Sequence, residues 1–215
     1  MDDTNLFGIV AKGGWLMIPI ALCSLIMIAV IIERFLALRE AKINMGSFMM
    51  KIRAALKEGS IGEALRICTE TKGPVASVFS AALEKHKEGR LEVREAIETA
   101  ASAQIFSLEK YTNALSTIAG VAPLIGFLGT VTGMIKAFMK IQALAGNVNA
   151  DVLAGGIWEA MVTTAAGLIV GIPALIFYNY FVRRVDRMAF EMERGSTELL
   201  DMLQVREGEN DEAQN

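Results

Sequence analysis

Three long uncharged stretches constrain the fold of this chain more than any other feature. They cover residues 13–32, 111–135 and 160–182, and none of them contains Asp, Glu, Lys or Arg over its 20, 25 and 23 residues. A helix rises ~1.5 Å per residue, so each stretch is long enough to cross a hydrocarbon core of ~30 Å. The sequence therefore predicts an all-α, polytopic membrane protein with three transmembrane helices in a lipid bilayer.

The charged residues lie almost entirely between and after these spans. Apolar residues recur at helical spacing through 36–110, and one apolar face continues from about residue 90 into the second span. We therefore expect one helix from about 90 to 139, and we expect spans two and three to extend into a cytoplasmic helical bundle. The net charge of −3 predicts no nucleic-acid partner.

These patterns divide the chain into eight predicted segments. They are a short outer or interfacial N-terminus (1–14), transmembrane helix 1 (15–35), a cytoplasmic helical region (36–110), transmembrane helix 2 (111–139), a short outer loop (140–157), transmembrane helix 3 (158–182), a cytoplasmic helix (183–206) and an acidic disordered tail (207–215).

The distribution of basic residues predicts the orientation. Arg34, Arg39 and Lys42 follow span one, and Arg183 and Arg184 follow span three, whereas few basic residues lie at the other span ends. The positive-inside rule then places the N-terminus outside and the C-terminus in the cytoplasm. The acidic start predicts a retained first span rather than a cleaved signal. A short interfacial helix is expected before it, formed by Leu6, Phe7, Ile9 and Val10.

Spans two and three each carry a face of small residues. Such faces let helix backbones approach closely in a bilayer, where GxxxG pairs are a common packing motif. We expect these faces to pack against protein, and we expect the bulky residues to lie elsewhere. The predicted packing residues are Gly126, Gly129, Gly133, Gly167, Gly171, Pro123 and Pro173.

The same faces carry the polar residues of interest. Thr130 and Thr164 lie on them, Thr163 lies beside them, and Glu159 precedes span three. A membrane threonine often bonds back to its own helix, four residues earlier. The alternative is that these threonines line a shared polar interface. Glu159 is either a solvated boundary residue or the entrance of an ion pathway.

What the spans lack limits the function. No Asp, Glu, His, Lys or Arg lies well inside any span. An ion pathway normally needs such a group near the midplane, so this chain alone is a poor channel or transporter unless a partner supplies a carboxylate. Neither a nucleophile–base pair nor a metal-ligand cluster is evident, so we predict no enzyme activity, no cofactor and no metal. A non-conducting membrane scaffold stays open as the alternative.

Two sequence runs resemble a known family. Residues 122–135 and 156–179 are similar to the MotA/TolQ/ExbB proton channel family, and residues 32–35 after span one match it too. Three spans and a short outer N-terminus resemble the ExbB/TolQ branch.

The resemblance implies a homopentameric ring whose pore is lined by spans two and three. A dimer of a single-span ExbD/TolR-like protein would sit inside, and its span would carry an aspartate. By the family motif, Thr130 and Thr164 would face that aspartate, with Thr163 beside them and Glu159 at the outer mouth.

The resemblance also implies where the protein works and what it does. It implies a motor in the bacterial inner membrane, with a periplasmic N-terminus, that couples proton flow to work on the cell envelope through a TonB- or TolA-like protein. Nutrient uptake, outer-membrane maintenance and motility all remain open as the driven process.

Overall fold

The computed structural model describes residues 13–143 and 150–214, with side chains in 13–143 and 154–204. The described residues form helices joined by short turns and contain no strand, which confirms the all-α prediction. The helices are α1 (Met17–Glu40), α2 (Met45–Lys57), α3 (Ile61–Glu70), α4 (Pro74–Glu84), α5 (Arg90–Glu109), α6 (Thr112–Ala143) and α7 (Ala150–Gln214).

Three helical stretches are long and apolar enough to cross a membrane, as predicted. They lie within Met17–Lys57, Arg90–Ala143 and Ala154–Gln204, with mean hydropathies of 2.3, 1.8 and 2.1. Only 17%, 28% and 33% of their most apolar windows are buried within the chain. Most of this apolar surface is therefore left for lipid or for other protein chains.

The chain divides into two compact units. We call the first the membrane unit; among the described residues it comprises 13–33 and 111–180. We call the second the extramembrane unit; it comprises 34–110 and the part of α7 that begins at Phe181. The predicted charged segments between and after the spans thus fold together as one unit.

The extramembrane unit is built on short, capped helices around one apolar core. The side chains of Asn44 and Ser60 accept hydrogen bonds from the first turns of α2 and α3, and Pro74 begins α4. The core contains Phe79 of α4 and Met192 of α7, both at most 1% exposed. A Cβ at Gly195 would lie 3.1 Å from the Phe79 ring, so α7 needs a glycine there to pack this closely.

The two cysteines are free thiols, one in each unit. Cys68 lies in the extramembrane core, and burial raises the pKa of its thiol to about 12. The thiol therefore stays protonated and unreactive at neutral pH.

The prediction of one helix from about 90 to 139 was wrong. Helix α5 ends at Glu109, Tyr111 has a φ of 64°, and α6 begins at Thr112. A left-handed tyrosine interrupts the helical hydrogen bonds, and no Gly or Pro signals it. The Arg34 guanidinium, which is 4% exposed, donates to the carbonyl oxygens of Ser107 (3.3 Å) and Leu108 (3.0 Å) and so caps the end of α5.

Two other predicted boundaries also differ from the structure. Most of the predicted loop 140–157 is helical, because α6 reaches Ala143 and α7 already begins at Ala150. Helix α7 continues to Gln214, whereas we expected a disordered tail from residue 207; Glu, Gln and Ala are good helix formers, which suits this extension. The predicted interfacial helix at residues 6–10 lies outside the described residues.

Helices α6 and α7 pack against each other through their small faces. A Cβ at Gly167 would lie 2.5 Å from the carbonyl oxygen of Ala122, and one at Gly171 would lie 2.5 Å from the Pro123 ring. A Cβ at Gly126 would lie 3.1 Å from the Cα of Thr164. The two backbones are thus in direct contact, and both helices are assigned continuously through their prolines, Pro123 and Pro173.

Replacing Gly167 by alanine tests this contact with a single methyl group. We expect Gly167→Ala to destabilise the protein by about 1–3 kcal/mol, because the new methyl must push the two backbones apart. Gly120→Ala is the matched control, since nothing lies within 4 Å of a Cβ at that position in α6. Thermal unfolding in detergent measures both, and equal melting temperatures for the two variants would contradict the close packing.

Arg34→Met tests the cap at the helix break. It keeps most of the side-chain volume but leaves the buried carbonyl group of Leu108 without this donor, which costs about 1–3 kcal/mol. The part-buried carbonyl of Ser107 loses the same donor and keeps its bond from the Lys110 amide. We expect faster hydrogen exchange of amides at the end of α5. The exposed Arg39→Met should leave that exchange unchanged; the same protection in both variants would show that Arg34 does not hold the break.

Candidate functional site

The structure joins Thr130 and Thr164 across the α6–α7 contact. Their hydroxyl groups are hydrogen-bonded to each other, and both side chains are partly buried. The Thr164 Oγ1 atom also lies 3.0 Å from the carbonyl oxygen of Gly126 and 3.2 Å from that of Ala160. The shared polar interface is therefore formed, and Thr164 makes the bond within its own helix as well.

A count of protons shows what this pair can offer to a third group. Each hydroxyl has one proton and two lone pairs. If Thr130 donates to Thr164, then Thr164 donates to a backbone carbonyl, and both protons are in use. The lone pairs of the Thr130 oxygen are then left to accept a hydrogen bond. If the order is reversed, Thr130 donates to the Ala160 carbonyl oxygen at 3.4 Å.

Thr163 has a different environment from Thr164. Its side chain is 1% exposed, and its Oγ1 atom lies 2.7 Å from the carbonyl oxygen of Glu159 and 3.0 Å from that of Gly13. A Cβ at Gly129 would lie 2.5 Å from the Thr163 methyl group. Thr163 is therefore buried between the start of the first span and α6, and its position indicates packing.

Glu159 is paired with a lysine that the sequence analysis did not assign to the site. The Lys136 Nζ atom lies 2.8 Å from Glu159 Oε1, and their side chains are 50% and 28% exposed. Lys136 directly follows the second uncharged stretch, and Glu159 directly precedes the third. Because consecutive spans run in opposite directions, these opposite charges at adjoining span ends were a signal available in the sequence.

Gly14 is a second site residue that the sequence analysis missed. It has a φ of 71°, and a Cβ there would collide with the Glu159 carboxylate. The segment before α1 thus lies directly over the start of α7, where it holds both Glu159 and Thr163. Neither this φ nor this contact has a signature in the sequence beyond the Gly13–Gly14 pair.

Together these residues form a short polar path along one end of the membrane unit. Glu159 and Thr164 are separated by ~7.5 Å along α7, and Thr163 lies between them in sequence. The path contains one ion pair and three hydroxyls, and no Asp, Glu, His, Lys or Arg lies deeper in spans two or three. It can accept and donate hydrogen bonds, but the spans supply no group that would hold and release a proton at mid-depth.

Comparison with known proteins identifies relatives of this chain. The sequence profile of the MotA/TolQ/ExbB proton channel family matches residues 70–194. A putative biopolymer transport protein, ExbB-like 3, from Synechocystis sp. is 30% identical over 170 residues, which are 79% of this chain and 81% of that protein.

Two further relatives carry the names of both systems in the branch. Biopolymer transport protein ExbB of Pseudomonas putida is 30% identical over 86% of this chain and 57% of its own length. The Tol-Pal system protein TolQ of Haemophilus influenzae is 40% identical over 47% of this chain and 43% of its own length. The chain thus spans less than two thirds of these two relatives. The matched profile covers more than half of the chain, including spans two and three with their threonine pair, and this chain therefore belongs to the MotA/TolQ/ExbB proton channel family.

Proposed function

We propose that this protein is the ring-forming subunit of a motor driven by the proton-motive force in the bacterial inner membrane. In this proposal a homopentamer surrounds a dimer of an ExbD/TolR-like single-span protein, and proton flow between them does work on the cell envelope. The N-terminus lies in the periplasm and the extramembrane unit in the cytoplasm, in line with the basic residues that follow spans one and three.

The observation that carries the proposal is the hydroxyl pair of Thr130 and Thr164 in spans that have no Asp, Glu, His, Lys or Arg well inside them. A proton pathway needs a group that binds and releases the proton, and here a partner must supply it. A carboxyl group on the partner's span meets that need. The threonine pair then supplies the hydrogen bonds that such a group requires in a low-dielectric setting.

The proton count gives the pair a specific part in each protonation state of the partner's carboxyl group. A protonated carboxyl donates to the open lone pairs of Thr130. An ionised carboxylate needs a donor instead, which Thr130 provides by turning its proton away from Thr164. Thr164 then turns its own proton from the backbone carbonyl to Thr130, so the pair can hydrogen-bond to either state by rotating its two hydroxyls, without a change in the helices.

Glu159 and Lys136 belong at the outer mouth of this pathway. The carboxylate is partly exposed and neutralises Lys136, which would otherwise repel protons from the entrance. One elementary charge that crosses 100 mV releases ~2.3 kcal/mol, so several protons are needed for a sizeable mechanical step.

The names of the relatives support two candidates for the load, which is the protein on which the motor does work. They include biopolymer transport proteins of the ExbB type and a TolQ protein of the Tol-Pal system. In our proposal the load is accordingly a TonB-like or a TolA-like protein, which the outer part of the ExbD/TolR-like partner engages.

One observation favours a second candidate, a non-conducting membrane scaffold. Thr164 lies within hydrogen-bonding distance of Gly126 across the interface and of Ala160 in its own helix, so its hydroxyl also serves packing. In bilayers such bonds contribute only about 0.6 kcal/mol on average. A scaffold would therefore tolerate the loss of this hydroxyl, whereas a proton pathway would not.

Thr164→Val separates the two functions. Valine keeps the shape of threonine but leaves Thr130 without its hydroxyl partner. We expect at least about a tenfold loss of proton flux in vesicles that contain the protein and its ExbD/TolR-like partner, because about 1.4 kcal/mol in a barrier is tenfold in rate. Thr164→Ser keeps the hydroxyl and should retain most of the flux.

Assembly is the control for this pair of variants. Native mass spectrometry should give the same complex for both, because the lost hydrogen bond is weak. Full flux in the valine variant, with an intact complex, would contradict the proton pathway and favour the scaffold.

Glu159→Gln tests the proposed outer mouth. The change leaves Lys136 unpaired, so we expect a severalfold lower proton flux, while the melting temperature changes little because exposed ion pairs contribute about 0–1 kcal/mol. Adding Lys136→Gln should restore part of the flux by removing the unpaired charge. Lys140→Gln is the matched control, an exposed lysine one turn further along α6. An equal loss in this control, or no loss in Glu159→Gln, would remove Glu159 from the pathway.

A further inference from the structure

The extramembrane unit carries a groove between α2 and the start of its α7 segment. The groove has a volume of about 530 Å³, and Met45, Met49 and Phe190 form its apolar lining. Phe190 is 62% exposed although it lies beyond the span, in a charged segment. An aromatic ring left exposed at a groove is typical of a surface that another protein covers.

Basic side chains outnumber acidic ones among the charges of the groove lining that have no ion pair. Arg187 and Arg194 have no ion pair among the described side chains, Glu191 is one further lining residue without one, and Glu198 is paired with Arg53. Helix α2, which forms the other wall, has three basic residues and no acidic residue. The groove therefore fits an apolar surface that also carries carboxylates.

Helix α5 carries such a surface on its exposed side. Exposed residues at spacings of three or four positions form a stripe along this helix. The residues at its two ends are apolar, and those at its centre are acidic. We call this the α5 stripe; it comprises Leu91, Glu95, Glu98, Ser102 and Phe106. Leu91 is 74% exposed and Phe106 is 80% exposed, so no described residue covers these two ends of the stripe.

The stripe and the groove also lie at the same level of the unit. Val93 of α5 and Leu200 of α7 line one small cavity, as do Arg90 and Gln204, so the two helices run in opposite directions past each other. Phe106 lies ~20 Å from Val93 along α5, and Arg187 lies ~20 Å from Leu200 along α7. Phe106 and Arg187 are therefore at similar levels. By the same register, Glu98 lies at the level of Arg194.

We propose that the α5 stripe of one copy docks into the α2–α7 groove of the next copy, so that this contact closes the ring outside the membrane. The proposal rests on the ring of the proposed function and adds the surfaces that join its subunits. Copies related by rotation about an axis parallel to the helices contact each other at equal levels along that axis. The stripe and the groove lie at equal levels, so they meet this condition. Two different surfaces on each copy give a head-to-tail contact, the kind that generates closed rings.

In this interface Phe106 enters the apolar lining beside Phe190, and the Arg187 guanidinium lies near the aromatic rings. Glu98, which is paired with Arg94 of its own helix (2.9 Å), lies opposite Arg194, and Glu95 faces the basic wall of α2. The contact is charged at its centre, so it weakens as the salt concentration rises.

Disulfide trapping between two differently tagged copies tests this interface in the full-length protein. Cys23 and Cys68 are first replaced by alanine. One copy then carries Glu98→Cys and the other Arg194→Cys, and both are expressed together in membranes with the ExbD/TolR-like partner. We expect a mixed-tag disulfide dimer on mild oxidation, and at least about fivefold less product when Glu193→Cys replaces Arg194→Cys. Glu193 is exposed and lies next to Arg194 on the helix, which makes it the matched control.

The head-to-tail geometry gives a second readout. Glu98→Cys alone should give no dimer with itself, because the stripe does not meet a second stripe. A strong Glu98→Cys self-dimer, or equal trapping at positions 193 and 194, would overturn the interface. Native mass spectrometry separates the levels of failure: rings without the expected disulfide refute this interface and leave the motor proposal standing, whereas the absence of any ring refutes both.

Discussion

The close approach of two helix backbones in the membrane is the constraint on which the rest of this structure depends. Gly126, Gly167 and Gly171 leave no room for a Cβ, so α6 and α7 touch through backbone atoms. In a bilayer such contacts replace the hydrophobic effect, which gives little advantage to apolar side chains already surrounded by lipid. The bulky residues of both helices are thereby left on the outer surfaces.

This packing also decides where polar atoms can lie. Two threonine hydroxyls between closely packed backbones must bond to each other or to backbone carbonyls, because no water reaches a buried site in the hydrocarbon core. Thr130 and Thr164 do both. The result is a pair of neutral groups that can turn from donor to acceptor, placed within ~7.5 Å along α7 of the charged pair at the span ends. In the proposed motor, a carboxyl group from outside the chain binds and releases the proton beside this pair.

Much of this architecture could be predicted from the sequence because the bilayer imposes strong rules. Uncharged stretches of 20 or more residues predicted the three spans, and the spacing of small residues predicted that one face of spans two and three packs against protein. The same helical wheel placed Thr130 and Thr164 on those faces but left open whether they bond to each other or to their own helices. These features depend on local composition and on helical periodicity, which a single sequence records.

The features that the sequence did not reveal are set by tertiary contacts. Tyr111 adopts a left-handed conformation because the surrounding fold holds it there, with Arg34 capping the end of α5 nearby. A glycine or proline would have predicted such a break in the helix, whereas a tyrosine does not. The position of Gly14 over Glu159 likewise depends on how the first span packs on the third. Contacts of this kind do not recur at a regular residue spacing, so they cannot be predicted from the periodicity of a single sequence.

Proton flux across vesicle membranes tests the central claim most directly. The protein would be reconstituted alone, with the proposed ExbD/TolR-like partner, and with that partner after the aspartate that the proposal places in its span is changed to asparagine. The account predicts flux only with the unchanged partner, because no Asp, Glu, His, Lys or Arg lies well inside spans two and three. Flux through this protein alone would contradict it, since the pathway would then need no carboxyl group from a second chain.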